Sequence, residues 1–238
     1  MTDGDQSQPE PAVPLGPPHL ADPRALQILS TEHWSLLTAR SLAYNEFFQR
    51  GGMFLTLLSA SLVALGFVYQ GSGGGPDFPV IVVAVLALDL FVGLATLGRL
   101  VAASMEEFRA LQAMGRVRRA YLEMVPTLAP YISTSTSDDA ASVLDNYAVG
   151  GGETSGLLNL AHGLTTMPGM LSVLNAAVAG ALAGAIVVAF GGDSRLALIA
   201  GIGSGILLML LMMWWGVRTF SSADRFLEVR FPPVQDEG

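Results

Sequence analysis

Residues 79–100, PVIVVAVLALDLFVGLATLGRL, form an apolar run with a single acid, Asp89, at its middle. At ~1.5 Å of rise per residue, a helix of this length crosses the ~30 Å hydrocarbon core of a bilayer once. An acid at the centre of such a helix costs about 3 kcal/mol on insertion, whereas each Val, Leu, Ile or Phe returns about 0.3 to 0.6 kcal/mol. Residues 80–97 hold twelve of these, enough to carry Asp89 into the membrane. The run therefore predicts a transmembrane helix, and the acid within it is a candidate functional group.

Three further runs, 52–69, 167–190 and 196–217, have the same length and character. Together they predict an all-α membrane protein with four transmembrane helices in two hairpins, 51–101 and 166–218, accompanied by amphipathic cytoplasmic helices. The composition agrees, with 51% hydrophobic and 13% charged residues and 27 glycines, which let membrane helices approach closely. Absence of cysteine excludes disulfides, thiolate catalysis and cysteine-based zinc sites. A net charge of -8 and a complete lack of lysine argue against a nucleic-acid partner.

All twelve basic residues are arginines, and they set the topology. Arg24, Arg40 and Arg50 precede the first span. Arg99, Arg109, Arg116, Arg118 and Arg119 lie between the second and third, and Arg218, Arg225 and Arg230 follow the fourth. Only Arg195 falls on the other side, in a short loop. The positive-inside rule then places both termini and the central segment in the cytoplasm, in a multi-pass protein of the cytoplasmic membrane.

Outside the spans, residues 1–21 are acidic and proline-rich, with neither the basic region nor the apolar core of a signal peptide, and read as a disordered tail. Asp22-Pro23 starts a cytoplasmic helix over 22–50, whose Leu26, Leu29, His33, Leu37, Tyr44 and Phe47 recur at helical spacing. Gly51-Gly52 marks a bend where it enters lipid. The second membrane helix should run on to Val125 along a stripe of Phe108, Leu111, Val117 and Tyr121, ending at Pro126. The remainder of the cytoplasmic segment 102–165 holds a short helix from Asp138 to Ala148, a break at Gly150-Gly151-Gly152 and a return helix from Glu153. Residues 219–238 form a cytoplasmic tail.

Little in the sequence points to catalysis. His19, His33 and His162 show no metal-ligand spacing, and GGGETSG at 150–156 lacks the lysine of a phosphate-binding loop and reads as a hinge. No catalytic residues, metal or cofactor are therefore expected. Arg116, Arg118 and Arg119 are candidate contacts to anionic lipid heads, or else a solvated face that also sets topology. Trp214-Trp215 has the character of an interfacial anchor.

Counting depth along the spans brings Asp89, Asn175, Ser59, Ser61 and Ser204 to one midplane polar layer, where buried polar groups can partner one another. Ala176, Gly180 and Gly184, with Ala197, Gly201 and Gly205, form two ridges of small residues suited to close helix packing within the chain or between copies.

Three stretches, Arg119-Ala-Tyr-Leu-Glu-Met-Val-Pro-Thr-Leu-Ala-Pro-Tyr131, Thr31-Glu-His-Trp-Ser-Leu-Leu37 and Tyr44-Asn-Glu46, resemble a group of uncharacterised bacterial four-span integral membrane proteins. The resemblance implies a bacterial origin and a membrane location, and carries no activity or site residues. The layout of the first half is also similar in architecture to two-span effectors of bacterial conflict systems. Three functional classes stand: a membrane scaffold, sensor or effector subunit binding a membrane or cytoplasmic protein partner or its own copy; a proton or cation pathway through Asp89; and a membrane-embedded enzyme, for which one acid without a neighbouring base or nucleophile is a poor start.

Overall fold

The computed structural model describes residues 20–140, 142–143, 164–226 and 229–231. Four helices dominate it: α1 (Ala25–Ser72), α2 (Phe78–Met124), α3 (Met167–Ala189) and α4 (Ser194–Phe226), with a short 3-10 helix, Pro126–Tyr131, after α2. Among the described residues there is no β-strand. Each of the four is long and apolar enough to cross a bilayer, which makes this a multi-pass membrane protein by length and composition.

Local chemistry explains most of the helix ends. α1 stops at Gly73, whose φ of 62° is the left-handed conformation that glycine reaches without a Cβ penalty. Two prolines punctuate α2, Pro79 in its first turn and Pro126 just past its end. The Thr166 side chain caps α3 by accepting the Gly169 N–H at 3.2 Å. Asp193 does the same for α4, taking the Leu196 N–H at 2.7 Å.

At the expected membrane entry the chain stays helical. Gly51-Gly52 does not interrupt the helix, and α1 continues through it for 48 residues, about 72 Å at 1.5 Å per residue. Two helical glycines cost about 1 kcal/mol each relative to alanine, but Gly51 faces α3, where an added Cβ would stand 3.3 Å from Met167 Cε. Close approach of α3 is gained where intrinsic helix preference is lost. The start of α1 also shifts: Ala25 is its first residue, and Asp22 instead accepts the Arg24 N–H at 2.8 Å.

α2 and α3 are central. α2 packs along both α1 and α3, and α3 along both α2 and α4, which leaves α1 and α4 at the two edges. A first core joins Phe47, Phe54, Leu97, Leu100 and Leu171 from three helices. The second lies where α1 and α2 run past their apolar stretches as a two-helix stalk, and contains Phe108, Leu111, Met114 and Val143 against Leu36 and Leu37. Within the expected stripe of α1, Leu37 and Phe47 turn inward while Leu26 and Tyr44 stay exposed. The short helix expected from Asp138 begins at Ala140, with Asp139 accepting the Ser142 N–H at 3.2 Å; its continuation past 143 lies outside the described residues. So do the GGGETSG stretch, most of the return helix, His19 and His162.

Candidate functional site

Asp89 is fully buried between helices. The Ser61 hydroxyl on α1 donates to its Oδ1 at 2.9 Å, joining two residues from the expected polar layer across the α1–α2 seam. Its second oxygen, Oδ2, is buried with no hydrogen-bond donor.

One turn farther along the same face of α2, Gly93 creates room for a third helix. A Cβ at Gly93 would overlap Asn175 Oδ1 of α3 and come within 2.8 Å of the Phe54 ring of α1. Asn175 is also fully buried; its Nδ2 donates back to Leu171 O at 2.9 Å, and its Oδ1 has no donor either. Ser61, Asp89 and Asn175 thus come from three helices to one buried region containing two unserved acceptors.

The other members of the layer lie elsewhere. Ser59 is exposed and donates to its own helix, at Leu55 O, 2.8 Å away. Ser204 sits in the α3–α4 seam, donating to Gly201 O at 3.1 Å and reaching Ala179 O at 3.4 Å. Around it the two small-residue ridges face each other: an added Cβ at Gly180 would meet Gly201 O at 2.8 Å, at Gly184 Ala197 O at 3.2 Å, and at Gly205 Ala176 O at 3.0 Å. Backbones this close leave an apolar groove along the pair, lined by residues such as Gly180, Gly184, Leu198 and Ile202.

The ionic groups of the stalk concentrate in three places. Where the apolar runs end, Glu46 accepts from Arg50 at 2.7 Å and from Arg99 at 2.8 Å, and Arg99 also reaches Glu106 at 3.4 Å. Arg99 is thereby committed away from Asp89. Lower on the stalk, Arg40 Nε donates to the buried Glu107 at 3.2 Å while its guanidinium lies over the Tyr44 ring.

The third place is a clasp around Asp138. Its carboxylate takes Arg116 Nε at 2.8 Å and the backbone N–H groups of Arg230 and Phe231 at 2.9 and 2.7 Å, while its own N–H donates to Phe231 O at 3.1 Å. Gln112 holds the Asp138 carbonyl at 2.9 Å, and an added Cβ at Gly115 would stand only 2.7 Å from Ser137 O. Burial pushes the Asp138 carboxyl up, but the Arg230 N–H, the Arg116 guanidinium and the Phe231 N–H outweigh it and hold the group below the usual carboxylate range.

Two arginines of the basic run have acidic partners within the chain. Arg116 is bound to Asp138, and Arg119 to Glu123 at 3.1 Å with its guanidinium over the Phe231 ring. Arg118 Nη1 is buried without a partner. All three lie at least about 24 Å along the helix axis beyond Leu100. By contrast, Arg218 stacks over Trp214 at 4.5 Å, near the end of the fourth run.

Glu107 and Asp138 were missed from the sequence. Glu107 left a signal, since it shares the helical spacing of Ala103, Leu111 and Met114, and an acid on an apolar stripe demands a partner. Asp138 left none, because its partners are 22 and 92 residues away in the chain. Among the described residues no three His, Asp or Glu side chains gather into a metal-binding group. The chain matches no protein-family model, and neither a curated protein nor a solved structure is similar to it.

Proposed function

We propose that the chain is an integral membrane scaffold, sensor or effector subunit, acting through helix packing and through contacts of its stalk with a protein partner or a second copy of itself. In this reading the spans form two hairpins, α1 is amphipathic outside the bilayer, and both termini and the stalk are cytoplasmic. The stalk carries the proposal. α1 and α2 continue beyond their apolar runs as a paired rod, cross-tied by Arg40 and Glu107, yet Leu26, Trp34 and Phe48 of α1 remain exposed. Large apolar side chains left outside lipid mark an interaction surface. The natural absence of cysteine gives a clean test. Trp34→Cys and Phe48→Cys should each form a crosslinked adduct in native membranes, while Glu32→Cys does not. Absence of adducts from both, together with a single-subunit mass in lipid nanodiscs, would remove the proposal.

A second reading, a proton or cation pathway, is favoured by one observation: the buried Asp89 carboxyl has an oxygen with no donor. Reconstituted vesicles should then show a flux that Asp89→Asn abolishes. Equal flux from the variant, or none from the parent, would end this reading.

A further inference from the structure

The membrane portions of the three helices meeting at Asp89 contain no group that can neutralise it. Between Arg50 and Tyr69 on α1 there is no ionisable side chain; on α2, Asp89 is the sole one from residue 78 to 98; α3 has none from 167 to 189. Arg99, the nearest base along α2, is bound to Glu46 and Glu106. A carboxylate in this setting has one hydrogen bond, from Ser61, against a desolvation cost that is prohibitive for an unpaired charge. Asn175 adds to the imbalance, because its amide nitrogen is committed to Leu171 O and its oxygen faces the Gly93 gap without a donor. The region is rich in hard oxygen acceptors and poor in hydrogens to fill them.

We propose that Asp89, with Ser61 and Asn175, forms an intramembrane site for one small monovalent cation, a proton or a sodium ion, which cancels the Asp89 charge. Oxygen donors from a carboxylate, a hydroxyl and an amide match the preference of a hard ion, and a proton on Oδ2 would turn an unserved acceptor into a donor. Gly93 belongs to the site because any larger residue would displace the Asn175 oxygen. The site deepens the pathway reading without depending on flux: an ion can be held here structurally and never cross.

The test uses the full chain in lipid. Infrared difference spectra between the protein and Asp89→Asn report a protonated carboxyl directly, and equilibrium binding of radioactive sodium reports the ion. A protonated-carboxyl band that vanishes in Asp89→Asn establishes the proton. Sodium held by the protein and lost in Asp89→Asn establishes the metal ion, and Asn175→Leu should then weaken its retention about tenfold or more, as for a lost ligand worth about 1.4 kcal/mol. Ser61→Ala, which removes the one donor to Oδ1, should shift the band in the first case and lower sodium occupancy in the second. The absence of both the band and bound sodium would overturn the proposal. Binding without flux leaves the site standing and removes only the pathway.

Discussion

Gly93 of α2 and Asn175 of α3 are complementary: the missing side chain of one is the space filled by the amide of the other. Phe54 closes the same gap from α1, so one glycine governs the approach of three helices. Gly93→Ala should therefore destabilise the protein by about 1 to 3 kcal/mol, the usual cost of overpacking. Gly98→Ala, one of the open positions on the same helix, should be neutral or stabilising. Thermal unfolding in detergent compares the two, and equal midpoints would contradict the packing described.

The α3–α4 seam predicts an order of sensitivity. Gly180→Ala places a methyl 2.8 Å from the Gly201 carbonyl, a backbone atom that cannot swing aside, whereas Gly184→Ala meets Ala197 O at a milder 3.2 Å and Gly203→Ala meets nothing. Unfolding midpoints should fall most for the first, less for the second and not at all for the third. A different order would place the seam elsewhere.

Glu107 is buried and Arg40 is mostly so. Removing one partner of such a pair strands the other, at about 3 to 5 kcal/mol when both are dry, and less here because the guanidinium retains some water. Glu107→Ala should thus cost about 2 to 3 kcal/mol in denaturant unfolding. Adding Arg40→Leu should recover part of that loss, and strictly additive losses would show that the two do not interact.

Asp138 sets a pH dependence for the clasp. Its folded-state carboxyl lies below its unfolded value of about 3.9, so its contribution is complete above that value and is lost as pH falls through the folded value. Amide exchange at Arg230 and Phe231, corrected for intrinsic rates, should be slow at pH 6 and accelerate in strong acid. Asp138→Ala should show fast exchange at both. Protection that survives the substitution would mean that the backbone bond from Asp138 N–H suffices alone.

The spans were legible because hydropathy over some twenty residues outweighs any single exception, Asp89 included. The end of α2 was legible from Pro126, since proline cannot continue the hydrogen-bond ladder. Continuity through Gly51-Gly52 was not, because local glycine cost points to a break and the compensating contact comes from Met167, more than a hundred residues away. In the polar layer, depth alone could not distinguish Ser59 from Ser61. They differ by only about 3 Å of depth but by about 200° around the helix, and only Ser61 turns toward Asp89. Asn175 needed a different clue, the glycine opposite it.

The unbroken course of α1 makes it a lever as well as a span. Over about 72 Å, a tilt of only 5° at one end of a straight helix would swing the opposite end by about 6 Å, and Ser61, which donates to Asp89, lies on this helix. Anything that grips the exposed face around Trp34 pulls on the same helix as Ser61, the hydrogen-bond partner of the buried Asp89 carboxyl on α2.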